Sequence, residues 1–342
     1  LGADATSVAI EAASSALPSW RALTAHQRSN FLRAWFDLVV SAREDLATIL
    51  TSEQGKPYAE ALGEIDYASA YIQFYAEEAK RINGEILPSH RANARIMVLR
   101  EPVGVVAAIT PWNFPAAMVT RKLAPALAAG CTTVLKPALE TPLTAMALVE
   151  LARRAGLPDG SINIVTGNAV TIGEVLTSHP AVRMISFTGS TAVGKILMRQ
   201  ASTTVKKVAL ELGGNAPFIV FDDANLDDAA DGAILSKFRN MGQTCVCTNR
   251  IYVHSSVHDV FVEKLAARIE TLKVGDGFAP GVEQGPLISL EAIAKIEAHI
   301  KDAADQGGKV VVGGQRHTNG GTFFQPTLIT GMTAGMAIAR EE

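Results

Sequence analysis

The sequence has few cysteines, no excess of positive charge and no long apolar run. Only three of its 342 residues are cysteine, which is too few for a disulfide framework and suits a reducing compartment, so we expect a cytoplasmic protein. No stretch approaches the ~20 consecutive apolar residues that span a bilayer, so we expect no membrane partner. Thirty-one basic and 34 acidic residues give a formal net charge of −3, which argues against a nucleic-acid partner.

The two ends of the sequence do not look like natural termini. The sequence starts at Leu1 without a basic or an apolar leader segment, so we expect no signal peptide here. It closes at Glu341 and Glu342 with no turn, cap or polar tail behind them. We therefore expect the chain to continue and its last domain to be incomplete.

Length and the order of elements predict two α/β domains. At ~150 residues per domain, a chain of this length corresponds to about two. From residue 103, short apolar runs alternate with helical segments, which indicates βαβ units and a doubly wound parallel sheet. We predict a dinucleotide-binding domain over residues 1–213, with an extended segment at 95–101. The order of elements restarts after Gly214, so residues 214–342 are predicted to form a second α/β domain.

Cys245 is the first candidate for chemistry. It lies in Gly242-Gln-Thr-Cys-Val-Cys247, a polar and turn-rich setting unlike that of a cysteine in a core strand. One interpretation is a small buried hydrophobic residue, and the sharper one is a nucleophilic thiolate. No second Cys or His pair lies nearby in the sequence, so we expect no metal site.

Two other polar residues stand near the ends of predicted strands. Glu211 lies inside an apolar strand before Gly213-Gly214. A buried carboxyl would have a raised pKa that suits a general base, whereas one facing out of the sheet would be solvated, and the local sequence leaves both open. The Asn113 amide could stabilise an oxyanion or, more simply, cap the following helix.

Two segments are candidates for binding a nucleotide. Residues 187–194 read Phe-Thr-Gly-Ser-Thr-Ala-Val-Gly, a strand, glycine turn and helix start whose backbone N–H groups would hold phosphate. The segment does not match G-x-G-x-x-G, so the motif alone is a weak signal. Lys136 ends another predicted strand and either reaches a ribose or phosphate or is a surface lysine. Together these features place a nucleotide site, a thiol, a base and an oxyanion donor on one α/β scaffold.

These motifs together resemble the aldehyde dehydrogenase superfamily, over nearly the whole chain. The segments that carry the resemblance, in the superfamily's order and spacing, are Pro-Trp-Asn-Phe-Pro at 111–115, Lys-Pro-Ala at 136–138, Phe-Thr-Gly-Ser-Thr at 187–191, Glu-Leu-Gly-Gly at 211–214 and Gly-Gln-Thr-Cys at 242–245. Three segments resemble more narrowly its succinate-semialdehyde dehydrogenases: Arg-Lys at 121–122, Lys-Phe-Arg-Asn at 237–240 and Gly-Gln-Thr-Cys-Val-Cys at 242–247. The resemblance implies oxidation of succinate semialdehyde to succinate with NAD(P).

The resemblance also implies a role for each candidate residue. Cys245 would be the nucleophile, Glu211 the general base, and the Asn113 amide with the Cys245 backbone N–H the oxyanion hole. Arg121 and Arg239 would hold the far carboxylate of a semialdehyde, because a planar guanidinium pairs with a carboxylate through two hydrogen bonds. The residues implied to contact the dinucleotide are Trp112, Lys136, Leu139, Gly189, Ser190, Leu212 and Glu342.

Position 139 bears on the choice of dinucleotide. The resemblance implies that many NAD-preferring members carry a Glu here, which bonds the adenine ribose and repels a 2′-phosphate. Leu139 removes that charge, and we expect the neighbouring Glu140 side chain to point elsewhere. We therefore predict that NADP is accepted, with NAD as the alternative.

Cys247 suggests a second hypothesis and several alternatives remain. A thiol two residues from the nucleophile could form a reversible disulfide with Cys245 under oxidation.

The alternative functions are a dehydrogenase for glutarate semialdehyde or another short semialdehyde, a non-redox cysteine hydrolase, and a role without catalysis. A hydrolase usually needs a His partner, and none of the seven His residues has a recognisable motif context. The resemblance finally implies a homo-oligomer, a dimer or tetramer, in which residues 95–101 pair with the partner subunit.

Overall fold

The computed structural model describes residues 1–341. These residues divide into two compact units, the first made of residues 1–50 and 62–212, and the second of residues 51–61 together with the chain from residue 213 onward.

Four helices open the chain. They are α1 (Ala3–Ala22), α2 (Ala25–Ser41), α3 (Arg43–Gln54) and α4 (Tyr58–Glu78). Helix α2 begins with a capping box, in which Thr24 accepts the backbone N–H of Gln27 and the Gln27 side chain accepts that of Thr24. This reciprocal pair satisfies two N–H groups that the first turn of a helix otherwise leaves without acceptors.

An exposed hairpin follows α4. Strands β1 (Glu85–Pro88) and β2 (Arg95–Val98) pair antiparallel, and every residue of both is exposed. The hairpin carries exposed apolar side chains, among them Ile86 and Met97. The segment predicted as extended at 95–101 thus contains a strand, and the partner strand β1 was not predicted.

A five-stranded sheet forms the centre of the first unit. Its strands are β3 (Val105–Ile109), β4 (Thr132–Lys136), β5 (Ile162–Ile164), β6 (Val182–Gly189) and β7 (Lys207–Leu212). The helices between them are α5 (Ala117–Ala128), α6 (Pro142–Arg154), α7 (Ala169–Ser178) and α8 (Thr191–Ser202). All neighbouring strands are parallel and their order is β5-β4-β3-β6-β7. The prediction of a doubly wound parallel sheet is confirmed.

Burial explains the composition of the central strand. All five residues of β3 are buried, which is why it reads as an unbroken apolar run. Val105, Ala107 and Ile109 lie in one core cluster with residues of α1, α7 and α8, and strand alternation turns the intervening residues to the opposite face. The chain runs outward from β3 through β4 to β5 and then returns to β6 on the other side. This reversal puts a topological switch point between the carboxyl ends of β3 and β6, where open α/β sheets bind ligands.

The second unit is also α/β. Its elements are β8 (Ala216–Val220), α9 (Leu226–Lys237), β9 (Thr248–Val253), α10 (His258–Thr271), α11 (Leu290–Asp305), β10 (Lys309–Val312), β11 (Leu328–Thr330) and the single-turn helix α12 (Ala337–Arg340). Strands β8 and β9 are parallel with α9 between them, and β10 pairs antiparallel with β11. Val220, Phe238, Phe261 and further apolar residues form the core of this unit. Within residues 1–341, no helix combines the length and apolar character that crossing a bilayer requires.

Candidate functional site

A cavity of about 220 Å³ lies at the switch point of the first unit. Ile109 and Thr110 at the end of β3 line it from one side and Phe187 of β6 from the other. The hydroxyl oxygen of Thr110 is buried and has no hydrogen-bond partner among residues 1–341. A buried polar atom without a partner costs free energy unless a ligand or water supplies one. The cavity therefore has the position and the polar wall expected of a ligand site.

Lys136, Leu139 and Glu140 form the β4–α6 side of this cavity. Lys136 is buried, and burial lowers the pKa of its ammonium although the charge of Glu140 acts in the opposite direction. Leu139 is exposed, as is Glu140. The expectation that Glu140 points elsewhere is wrong, because the residue lines the same cavity and its charge acts on Lys136. A carboxylate is thus present beside the cavity, one residue after Leu139.

The turn between β6 and α8 has the predicted strand–glycine–helix geometry. Ser190 is the N-cap of α8, and its hydroxyl accepts the backbone N–H of Val193 at 3.3 Å. A Cβ at Gly189 would meet the Phe187 ring at 2.4 Å, so any larger residue would force this ring to move. Neither residue lines the 220 Å³ cavity, and nor do Trp112 and Leu212. Their role in binding a dinucleotide stays a prediction.

Asn113 follows β3 and precedes α5, and it does not cap that helix. The N-cap position is Ala116, and the carboxylate of Glu64 on α4 accepts the backbone N–H groups of Ala116 and Ala117 at 2.8 and 3.2 Å. The helix-cap interpretation of Asn113 is therefore wrong, because Glu64 takes that place. The carbonyl of the neighbouring Trp112 accepts the Thr141 hydroxyl at 3.5 Å.

Arg121 on α5 lies against two tyrosines of α4. Its Nε donates to the Tyr71 hydroxyl at 2.8 Å, and its Nη2 donates to the hydroxyls of Tyr67, also at 2.8 Å, and Tyr71. The guanidinium carbon is 5.0 Å from the Tyr71 ring centroid and 6.0 Å from that of Tyr67. Burial lowers the pKa of Arg121, but the hydrogen bond to Tyr71 and neighbouring groups including Glu211 outweigh it and leave the pKa raised.

Glu211 lies on β7, the edge strand of the sheet, and is exposed. Of the two interpretations of this carboxyl, the exposure of the side chain fits the one in which it faces solvent. Its charge nevertheless acts on both Arg121 and Lys122. The first unit thus brings the predicted base and one predicted carboxylate-binding arginine into one electrostatic environment.

Lys122 is a buried cation that the motif analysis left without a role. It is 5% exposed, and burial lowers the pKa of its ammonium to about 8, although Glu211 acts in the opposite direction. Its Nζ lies 3.4 Å from the Ser186 hydroxyl of β6. The adjacent pair Arg121-Lys122 was the available signal, but a helix turns consecutive residues in different directions.

Cys245 lies in a tight turn of the second unit. The backbone N–H of Cys247 donates to the Thr244 carbonyl at 2.9 Å, which closes the turn around Cys245 and Val246. Cys245 is half-buried. Upstream, Asn240 and Met241 have φ of 53° and 57°, a left-handed conformation that non-glycine residues rarely adopt. Strained backbone of this kind clusters at functional sites, which supports the nucleophile interpretation.

Buried amides hold this left-handed turn. The Asn240 side chain accepts from Gln54 at 3.0 Å, and its backbone N–H donates to Glu60 at 2.8 Å. Gln243 accepts the backbone N–H of Ile288 through its side-chain oxygen at 3.0 Å. These bonds fix the chain entering the Cys245 turn.

The remaining predicted residues of the second unit differ in exposure. Arg239 is exposed, and Cys247 is 1% exposed. The Cys247 thiol donates to the Lys237 carbonyl at 3.2 Å, and both cysteines are free thiols. Glu342 lies outside the described residues. Across residues 1–341, no cluster of three or more His, Cys, Asp or Glu residues could hold a metal ion.

Comparison with known proteins identifies what this chain is similar to. The model of the aldehyde dehydrogenase family matches residues 1–342. The NADP⁺ succinate-semialdehyde dehydrogenase GabD of Escherichia coli K12 is 58% identical over the whole chain, which spans 71% of that protein. A glutarate-semialdehyde dehydrogenase of Pseudomonas aeruginosa is 56% identical, with the same coverage. The crystal structure of succinate-semialdehyde dehydrogenase from Burkholderia pseudomallei matches with a TM-score of 0.99 at 57% identity, covering 100% of this chain and 71% of that one.

Proposed function

Because this chain belongs to the aldehyde dehydrogenase family, we propose that it oxidises succinate semialdehyde to succinate with NADP. The observation that carries the choice of substrate is the Arg121 guanidinium, which is held by two phenol hydroxyls and lies within the field of Glu211. A cation near the general base is where the far carboxylate of a short semialdehyde would bind. Two relatives named for carboxylated aldehydes, at 58% and 56% identity, support the same substrate class.

The residues of the first unit fit a dinucleotide. The 220 Å³ cavity offers two groups to such a ligand: the buried ammonium of Lys136 and the hydroxyl of Thr110, for which the described part of the chain supplies no hydrogen-bond partner. The start of α8 beside Gly189 supplies backbone N–H groups and a positive helix end suited to phosphate. Position 139 carries no carboxylate that would repel a 2′-phosphate, which favours NADP. The carboxylate of Glu140, on the same side of the cavity, weakens this preference.

The chain's own residues would divide the oxidation into two steps. The Cys245 thiolate attacks the aldehyde carbon to form a thiohemiacetal, and Asn113 donates a hydrogen bond to the oxygen that gains negative charge. Bound NADP supplies the hydride acceptor for this carbon. Cys245 is then acylated as a thioester. Glu211 takes a proton from the water that attacks this thioester, and succinate leaves while the thiolate of Cys245 returns.

Reduction of the dinucleotide tests this proposal. We expect purified protein to reduce NADP with succinate semialdehyde, and Cys245→Ala to abolish the reaction while binding of NADP persists. Release of acid without reduction of NADP would identify a cysteine hydrolase instead. Glutarate semialdehyde is the second candidate, because a relative at 56% identity is named for it. A higher kcat/KM with glutarate semialdehyde would move the assignment to the longer substrate.

We also propose a homo-oligomer that uses the β1–β2 hairpin. Ile86, Met97 and Leu99 are 68%, 69% and 68% exposed, and exposed apolar side chains on a strand pair are typical of a surface that another chain covers. A mass measurement in solution, with Met97→Glu as the weakened variant, tests the assembly.

The scarcity of cysteine supports our further proposal that the protein works in a reducing compartment, the cytoplasm.

A further inference from the structure

The tyrosine pair beside Arg121 has a donor and acceptor pattern that can be counted. A phenol oxygen accepts two hydrogen bonds and donates one. Tyr71 accepts two, from Nε and Nη2 of Arg121. Tyr67 accepts one, from Nη2, and the two hydroxyl oxygens are 2.6 Å apart.

The count fixes the direction of the hydrogen bond between the tyrosines. Both acceptor positions of Tyr71 are filled by Arg121, so Tyr71 is the donor and Tyr67 the acceptor. Tyr67 then has both acceptor positions filled as well, and its own O–H hydrogen has no acceptor among residues 1–341. Burial, with the hydrogen bond to Tyr67, raises the pKa of Tyr71, so this phenol stays protonated at neutral pH.

The hydrogen-bonding groups of Arg121, Tyr67 and Tyr71 that have no partner among residues 1–341 are all donors. Nη1 of Arg121 makes no hydrogen bond to any residue between 1 and 341, and it adds its two N–H groups to the free Tyr67 O–H. A positively charged cluster whose acceptors are all filled selects a partner that only accepts hydrogen bonds and carries negative charge. A carboxylate has this character, whereas a neutral hydroxyl or amide does not.

We propose that Tyr67 and Tyr71 determine specificity for carboxylated aldehydes, Tyr67 as a direct donor to the carboxylate and Tyr71 as the residue that positions Arg121. This inference rests on the proposed function and deepens it. Tyr67 is 43% exposed and so is open to a ligand, whereas Tyr71 is half-buried beneath it. The residues are one helical turn apart on α4, which puts both hydroxyls on one face.

The helix that carries the tyrosines is tied to the helix that carries the arginine. Glu64, one turn before Tyr67 on α4, accepts the backbone N–H groups at the start of α5. A short link of this kind holds Arg121 in register with the hydroxyls, so that the guanidinium is oriented before substrate arrives. Preorganised donors bind an anion without the cost of ordering a long side chain.

Paired substrates test the proposal. We would measure kcat/KM for succinate semialdehyde and for its methyl ester, in which the anion is removed, using wild type, Tyr67→Phe, Tyr71→Phe and Tyr75→Phe. A hydrogen bond to a charged group contributes roughly a factor of ten to a hundred. We expect the acid-to-ester ratio to fall by about this factor in Tyr67→Phe, mainly through KM. In Tyr71→Phe the acid-to-ester ratio should also fall, and only a substitution that restores a hydroxyl acceptor at position 71 should recover it. Tyr75→Phe, on the same helix, should leave the ratio unchanged.

The outcomes separate the two proposals. A wild-type ratio near one would contradict the preference for carboxylates and with it the proposed function. A high wild-type ratio that survives both Tyr67→Phe and Tyr71→Phe would overturn the tyrosine roles alone. Binding gives a second measurement that needs no turnover: succinate should raise the Tm of wild type and of Tyr75→Phe, and the shift should be lost in Tyr67→Phe. An equal shift in all three proteins would refute the role of Tyr67.

Discussion

The carboxylate of Glu64 accepts the backbone N–H of Ala116 at 2.8 Å, and so joins α4 to the start of α5. Glu64 is only 4% exposed, so its removal would leave buried N–H groups without acceptors. We expect Glu64→Ala to lower the free energy of unfolding by about 2 kcal/mol. Urea denaturation measures the change. Glu77→Ala, an exposed site on the same helix, should stay within about 0.5 kcal/mol of wild type; equal losses in both variants would contradict a specific capping role.

The buried ammonium of Lys122 predicts a pH-dependent stability. Its pKa is about 8 in the folded chain against an ordinary 10.5, so between these values the unfolded chain binds more protons. Stability therefore rises from pH 8 towards 10.5, and the full cost, about 3 kcal/mol, is present below pH 8. Lys122→Met removes this cost. We expect its Tm to exceed that of wild type at pH 7 and the difference to shrink by pH 10.

The control for Lys122 is an exposed lysine. Lys80 is exposed and follows α4, and Lys80→Met should give a Tm difference that does not vary over this pH range. A Tm difference for Lys122→Met that is equally independent of pH would mean that the ammonium is not desolvated in the folded chain.

The short apolar runs in the sequence predicted the sheet well, because a strand that is buried on both faces must consist of apolar residues. The five residues of β3 are all buried, and an unbroken apolar run is what such a strand requires. The hairpin strand β1 left no comparable trace, since every one of its residues is exposed. The chain alone therefore indicated the core of the first unit better than its surface.

The sequence motifs predicted candidate residues of the site, but they did not predict the contacts between residues far apart in the chain. Tyr67 and Tyr71 are visibly one turn apart on a helix, but their partner Arg121 is 50 residues or more away in sequence. The hydrogen bond from Ala116 to Glu64 spans 52 residues. Pairings of this kind are set by how α4 packs on α5, which no local pattern encodes. Glu140 was misjudged for a similar reason, because the direction of a loop side chain depends on the fold around it.

Leu139 gives a prediction about the dinucleotide. The residue is 54% exposed and lines the switch-point cavity beside Lys136. We expect Leu139→Glu to raise the KM for NADP about tenfold or more, because a carboxylate near a 2′-phosphate repels it, and to change the KM for NAD far less. Glu140→Gln should move the preference in the opposite direction by removing the charge already present. Unchanged NADP kinetics in Leu139→Glu would place the 2′-phosphate away from this side of the cavity.

Oxidation should expose the difference between the two cysteines near the turn. Hydrogen peroxide transfers one oxygen to the half-buried Cys245 thiolate, which gives a sulfenic acid and hydroxide, and attack by the Cys247 thiol on that sulfur then forms the disulfide and releases water. Cys247 is 1% exposed and donates to the Lys237 carbonyl, so this second step must break that hydrogen bond and should be the slower one.

We expect activity lost with peroxide to return with dithiothreitol. In Cys247→Ala the sulfenic acid has no neighbouring thiol and proceeds to sulfinic acid, so recovery should fail as exposure to peroxide lengthens. Cys131→Ala, which removes a buried thiol of the first unit, should recover like wild type. Identical loss and recovery in wild type and Cys247→Ala would rule out the disulfide.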